Sequence, residues 1–361
     1  MQNCTAVALS GGIDSLVSAA LLKEQGRRLI GVHFLNGYET GMAPGSGPYT
    51  DASIASALEH AQRTMLPLGE QLGIPIYIID LRAEFQSLVV NYFISTYQSG
   101  KTPNPCIVCN PSIKFDILLK KAASWGANRV ATGHYARIET AADGGKRLFS
   151  GKDKRKDQSY FLARLNQTQL AVAEFPLGQM NKEQTRRIAR QRGLIPVCAQ
   201  ESQDVCFIKD GAYGDFLANQ PGFHPLEGPI EDINGQVLGR HKGLHRYTIG
   251  QRRGLNCPSS EPFYVVRMDQ KRRSLVVGRK NDLFTDTCQV NQINWISGPP
   301  DRPIQVMTRV RYRHKAVPST LIPLDSTRAQ ICFENPEAAV TPGQGAVFYQ
   351  AEEVLGGGWI E

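Results

Sequence analysis

No apolar run in this 361-residue chain approaches the length of a membrane span, which excludes a bilayer-crossing helix. No charged-then-apolar leader precedes the strand-like run TAVAL that begins at Thr5, and the eight cysteines fall at irregular spacings rather than in a disulfide framework. A chain of this length can build two or three cores without such staples. The expected setting is therefore a reducing cytoplasm, where a close cysteine pair is redox-active, metal-binding or catalytic rather than structural. Internal repeats and low-complexity linkers are also missing, which argues against a solenoid or a tethered array. Acidic residues are in the minority: 33 Asp plus Glu face 41 Lys plus Arg, a net charge of +8. The excess gathers in GKDKRK (151–156), RHKGLHRYTIGQRR (240–253), RMDQKRR (267–273) and RVRYRHK (309–315). Several of these interleave Tyr or His with the basic residues, a pattern suited to pairing with phosphates and stacking on bases. Any one run is equally well a solvated hairpin face. Four of them predict RNA as a partner.

What is present begins with alternation. TAVALS precedes the amphipathic SLVSAALLKEQG, which should stop at Gly26; LIGVHFL precedes a helical pattern from Asp51, with a break or kink expected at Pro67; PIYIID precedes AEFQSLVVNYFISTYQSG; and SIKFDILLKKAASWG precedes RVATGHY. Strands alternating with helices predict an α/β domain with a parallel sheet covered on both faces. NKEQTRRIARQRG reads as a helix capped by Asn181 and ended by Gly193. Beyond Gly211 the texture becomes short alternating segments separated by turns, which reads as all-β, with boundaries expected near 210 and 284.

The first strand runs into SGGIDS, residues 10–15, which opens a helix. Gly11 and Gly12 let the backbone approach an anion, the helix start and the hydroxyls of Ser10 and Ser15 offer donors, and Asp14 stands where Mg2+ bridging phosphates could be held. A Gly-Gly turn is also ordinary packing. The stretch lacks the lysine of a Walker loop and the G-x-G-x-x-G of a dinucleotide site. It resembles the SGGxDS signature of the PP-loop ATP pyrophosphatases, which implies ATP as the nucleotide and leaves the substrate open.

TPNPCIVCN, residues 102–110, sets two cysteines three apart. Pro103 and Pro105 push Thr102 and Asn104 into extended conformations, so the segment is expected to be a loop, without helix before Cys106. A third cysteine, Cys206, lies in ESQDVCFIKDG; taken alone it reads as a small buried hydrophobe. Together with SGGIDS, TGHYAR (132–137), KDQSYFL (156–162), YTIGQRRGL (247–255), TPGQGAVFY (341–349) and LGGGWIE at the end, these stretches resemble the bacterial tRNA-specific 2-thiouridylases nearly end to end.

That resemblance implies a PP-loop catalytic domain (1–210, its part from about 150 touching tRNA), a small β-rich central domain (211–284) and a C-terminal β-barrel (285–361). It implies ATP-dependent 2-thiolation of the wobble uridine: adenylation of the C2 oxygen, then sulfur transfer from a persulfide on Cys206, with Cys109 as the second catalytic cysteine. ATP is expected against Ala8, Leu9, Ser10, Gly11, Gly12, Ile13, Asp14, Ser15, Phe34 and Gly133. Asn104, Pro105 and Cys106 are expected at the target base with His134 nearby, Lys156, Asp157 and Gln158 on the RNA, and Arg311, Tyr312 and Gln344 as barrel contacts. Two thiols far apart in sequence must then meet, and an external reductant must clear their disulfide. The sulfur comes from a persulfide-donor protein or from free sulfide. Lys114, His134 or bound magnesium could favour the thiolates.

One position departs from the commoner form of the family, which has Asp where this chain has Cys106. Asp116 and Asp204 are near in sequence, with nothing to show that either substitutes. The set Cys106, Cys109 and Cys206 resembles instead the cluster-dependent tRNA thiolases, whose three thiolates hold a 4Fe-4S centre with one iron left for sulfide. A thioredoxin-like pair, a zinc site using Cys198, a non-catalytic RNA-binding protein and a PP-loop synthetase for a small molecule are the competing readings. The basic β-rich half is poorly explained by the last, and the intact SGGIDS by the third.

Overall fold

The computed structural model describes residues 4–38, 51–198, 205–208 and 213–361, with the backbone alone for 51–53. Asp204 and most of the ESQDVCFIKDG stretch lie outside the described residues; Cys206 lies within them. The first strand, β1 (Cys4–Ala8), is buried on both faces, as its unbroken apolar character requires for the centre of a parallel sheet. It is followed by α1 (Ile13–Glu24), β2 (Arg28–Leu35), α2 (Asp51–Leu72), β3 (Ile76–Asp80), α3 (Arg82–Phe85), α4 (Asn91–Gln98), α5 (Pro105–Cys109), α6 (Leu118–Ala122) and β4 (Ala127–Ala131). After the hairpin β5 (Ala136–Thr140) and β6 (Lys146–Ser150) come α7 (Gln167–Val172), β7 (Ala173–Glu174) and α8 (Lys182–Gln191). The sheet order is β3-β2-β1-β4-β7, all parallel.

Local chemistry accounts for the helix ends. Gly26 (φ +72) follows α1, and Gly193 (φ +62) follows α8, each in the left-handed conformation that glycine accepts without strain. Asn181 and Gln184 form a reciprocal capping box at the start of α8. Helix α2 continues through Pro67 without ending, so the expected break does not occur there.

Beyond α9 (Tyr213–Ala218), strands β8 (Gly228–Asp232), β9 (Val237–His241), β10 (Tyr264–Asp269) and β11 (Ser274–Gly278) form a sheet ordered β10-β11-β8-β9 around Ile230, Val265, Leu275 and Val277. Strands β12 (Phe284–Trp295), β13 (Ile304–Arg309), β14 (Val317–Pro323), β15 (Ala329–Ala338), β16 (Gly345–Gln350) and β17 (Glu353–Ile360) run antiparallel in the order β12-β15-β14-β13-β16-β17, and β17 pairs again with β12. Six strands thus close a barrel, which removes its free edges. One pairing crosses the expected boundaries: β17 also takes β6, with Val354 opposite Leu148, so the β5–β6 hairpin of the α/β part extends the barrel sheet.

Candidate active site

The phosphate loop forms where β1 ends. Gly11 sits at φ +84, a conformation that a side chain would strain, and Gly12 caps α1 in extended conformation with no side-chain acceptor for the first-turn N–H groups. Uncapped amides at a helix start suit an anion. The Ser15 hydroxyl donates to the Gly12 carbonyl at 3.0 Å and accepts from the Ser10 N–H at 3.2 Å, which braces the turn. The Leu9 side chain is buried, its N–H donates to the Val32 carbonyl at 2.8 Å and its carbonyl lies 2.8 Å from His33 Nδ1, so Leu9 holds the strand end in place beneath the loop. Phe34 lies two residues beyond Val32, the partner of Ala8, and is half-buried. Gly133, just past β4, comes so close that a Cβ there would stand 2.8 Å from Ser15 N and 2.9 Å from Asp14 Cβ. The residues expected to line the nucleotide site are thereby brought to one end of the parallel sheet, at its carboxyl edge. Gly133→Ala is expected to displace this loop, costing about 1–3 kcal/mol of stability and weakening ATP binding, as read by thermal melting and calorimetric titration.

Asp14 does not stand open. Both of its carboxylate oxygens accept from Lys182 Nζ at 2.8 Å, and Oδ1 also accepts from the Tyr135 hydroxyl at 2.9 Å. Sequence reading missed Lys182 and Tyr135. Tyr135 had a signal, its place in TGHYAR beside Gly133. Lys182 reaches Asp14 only because α8 packs against α1, a pairing across 168 residues that no local pattern announces.

The cysteine segment corrects the expectation of a loop. Thr102 to Asn104 are non-helical as predicted, but Pro105 is the first residue of α5, so Cys106 and Cys109 stand on a helical turn. Proline is favoured at that first position because its missing N–H has no intrahelical partner there. The turn after β15 holds the segment down: Thr102 N–H donates to the Pro342 carbonyl at 2.9 Å, and the Gln344 amide donates to the carbonyls of Thr102 and Pro103 at 3.2 and 2.9 Å. Downstream, Pro111 cannot donate to Ile107, and the helix widens into a π-helical stretch over Asn110–Ile117. Widening draws positions i and i+5 together, which brings Lys114 round toward Cys109.

Lys114 acts electrostatically on all three thiols and on His134. Burial pushes Cys109 up to about 11 and Cys106 upward, with the Lys114 ammonium pulling each back. Cys206 is also raised, first by desolvation and then by the neighbouring Cys109 and Cys106. It is exposed as a residue, so water tempers that burial. His134 is buried, and desolvation followed by Lys114 holds its pKa well below the usual value, so the ring is neutral; its Nδ1 lies 2.7 Å from Thr132 Oγ1.

Among the described residues, no three His, Cys, Asp or Glu side chains converge to hold a metal ion. The arrangement of Cys106, Cys109 and Cys206 lends no support to a preformed cluster cage. The thioredoxin-like reading gains a helix start yet lacks its strand, since α4 and an extended stretch precede α5. Cys198 donates its N–H to the Gly11 carbonyl at 3.0 Å, which places it at the phosphate loop.

The residues expected on RNA fall into two groups. Lys156 and Tyr312 are half-exposed, and the Tyr312 ring lies 4.3 Å from that of Phe161. Asn104 and Pro105 are buried at the start of α5. Asp157 is 6% exposed, and its carboxylate accepts from Gly151 N, Ser159 N and Arg309 Nη1 at 3.0 to 3.1 Å, which makes it an interior anchor between α/β part and barrel. Gln158 is tied to Tyr135 through its side chain and its backbone. Arg311 donates to the Ile249 carbonyl at 2.7 Å and to Thr341 Oγ1, bracing the middle sheet against the barrel. Arg311→Ala is accordingly expected to weaken tRNA binding by loosening this brace, leaving the salt slope unchanged; loss of a phosphate contact would instead lower the slope by about one.

Family models match residues 3–210 as a tRNA methyl transferase HUP domain, 214–279 as a tRNA methyl transferase PRC-barrel domain and 285–360 as an aminomethyltransferase beta-barrel domain. Curated relatives named tRNA-specific 2-thiouridylase MnmA include those of Desulfosudis oleivorans (47% identical, covering 98% of this chain and 94% of the relative), Geotalea uraniireducens (45%, 98% and 94%) and Geobacter metallireducens (44%, 98% and 96%). The chain belongs to the tRNA-specific 2-thiouridylase family. Within a 2-thiouridylase the methyl-transfer wording of the domain descriptions is a label. The three-part frame that they mark out agrees with the α/β domain, the middle sheet and the closed barrel described above.

Proposed function

We propose that this chain replaces the C2 oxygen of a tRNA wobble uridine by sulfur in an ATP-dependent reaction, with Cys206 carrying the sulfur and Cys109 releasing it. The observation that carries the reading is the segment Thr132–Tyr135. Gly133 packs on Asp14 and Ser15, Tyr135 donates to Asp14, and buried His134 between them feels the charge of Lys114, which also acts on the three thiols. One short stretch thus couples the phosphate loop to the electrostatic surroundings of the cysteines. ATP bound at the loop supplies the adenylyl group that makes the uridine C2 oxygen a leaving group.

On this reading the phosphates meet the backbone of Ser10 to Ser15, and Asp14 is the residue for Mg2+. The Cys206 persulfide attacks C2, and the original oxygen departs with AMP. The Cys109 thiolate then attacks the Cys206 sulfur, 2-thiouridine leaves as its thiolate, and a Cys109–Cys206 disulfide remains for an external dithiol to reduce. Lys114 favours the thiolate forms by its charge. No step is routed through an iron-sulfur cluster. Lys156 and Tyr312, both half-exposed, are candidates for direct RNA contact.

The test supplies unmodified tRNA, ATP, Mg2+ and a persulfide-donor protein, with nucleosides read by mass spectrometry and AMP by chromatography. One AMP per 2-thiouridine is expected. Thiolation without AMP, or AMP release without any thiolated nucleoside, would sink the reading.

A further inference from the structure

Lys182 is the first residue of α8, in the turn whose capping box fixes the direction of the helix. Its side chain is 8% exposed, yet it ends on the one acidic side chain of the phosphate loop, with Nζ 2.8 Å from each oxygen of Asp14. Asp14 itself is 32% exposed, so the pair has a dry side, the lysine, and a wet side, the carboxylate. The backbone N–H of Lys182 donates to Asp153 Oδ2 at 3.1 Å, which anchors the helix start. A cation buried at this point is costly to desolvate, and a surface carboxylate elsewhere would serve the fold without that cost.

The position has a chemical logic. A polyphosphate brings several negative charges to the loop, and Asp14 alone would repel them. An ammonium beside it offers three donors on a flexible stem, suited to phosphate as a point charge. A divalent cation arriving with the nucleotide is a partner for Asp14 in turn, so the ion pair can exchange into two new pairs without leaving a buried charge uncompensated. We propose that Lys182 is a binding residue for the pyrophosphate portion of ATP, kept in place by Asp14 until nucleotide and metal arrive. This rests on the ATP-dependent reading above and adds to it the residue that recognises the leaving group.

The test measures binding, not turnover. Magnesium pyrophosphate, Mg-ATP and AMP are each titrated calorimetrically into the wild type, Lys182→Met, Lys182→Arg, Asp14→Asn and the double variant Asp14→Asn with Lys182→Met, with folding checked by circular dichroism. Lys182→Met is expected to lose about tenfold or more in affinity for pyrophosphate and ATP, the scale of one charge-assisted hydrogen bond, while AMP binding stays unchanged. Lys182→Arg should keep most of the affinity. Removing Lys182 in the Asp14→Asn background should still lower pyrophosphate affinity. Equal loss for AMP, or no further loss in that background, would make Lys182 a counter-ion for Asp14 and nothing more. A wild type that binds ATP together with a Lys182→Met that binds it equally would overturn this proposal alone. A wild type that binds neither ATP nor pyrophosphate would overturn the ATP reading and this one with it.

Discussion

Cys109→Ser is expected to stop the reaction half-way and leave tRNA covalently attached to the enzyme. If Cys206 delivers its terminal sulfur to C2, the product of that step is a Cys206–S–S–C2 linkage, and only a second thiolate aimed at the Cys206 sulfur can release 2-thiouridine. Serine keeps the size of the side chain and removes that nucleophile. Cys109 is buried on α5 with its thiol pushed up to about 11, and Lys114, drawn toward it by the π-helical stretch, is the group pulling it back. Turnover should fall by about a thousandfold or more, on the scale of losing a catalytic nucleophile. In return, a protein–tRNA band should appear on a denaturing non-reducing gel and vanish with dithiothreitol. Cys206→Ser should give neither product nor band. A Cys109→Ser enzyme that turns over normally would remove Cys109 from the chemistry.

Asp14→Asn is the second large effect. The change takes away the charge that holds Lys182 and that the proposed function assigns to Mg2+, so 2-thiouridine and AMP formation should fall together by about two to three orders of magnitude, the range seen when a positioned electrostatic group is lost. The weaker pairing with Lys182 should cost about 1–2 kcal/mol of stability. Binding of tRNA should stay within about twofold, since Asp14 faces the loop and not the basic surfaces. Normal thiolation by this variant would withdraw the assignment of SGGIDS to ATP.

Much of this was legible in the chain because the relevant signals are local. The strand–glycine–helix pattern around Gly11 and Gly12, the cap at Asn181 and the alternating segments of the barrel each depend on neighbours a few residues away. The misses are of a different kind. That Pro105 starts a helix rather than prolonging a loop depends on the chain after it, and Pro103 before it gave the opposite weight. The family resemblance puts Asp157 and Arg311 on the RNA, and the fold adds what no local pattern shows, that their side chains are held by Arg309, Ile249 and Thr341. The same holds for Gln344, whose amide is spent on the carbonyls of Thr102 and Pro103. Lys182 shows the limit most plainly: its meaning comes from α8 lying on α1, and only the folded chain brings the two together.

The central claim, a two-cysteine relay driven by ATP, is tested most directly by one single-turnover measurement. Enzyme loaded with a persulfide on Cys206 is mixed with tRNA, ATP and Mg2+ under anaerobic conditions, without reductant and without iron, and then digested for peptide and nucleoside mass spectrometry. The account predicts one 2-thiouridine for each loaded enzyme, together with a Cys109–Cys206 disulfide in equal amount, and the same result for Cys106→Ser. Thiolation that leaves both cysteines as free thiols, or that requires added iron and disappears in Cys106→Ser, would contradict it.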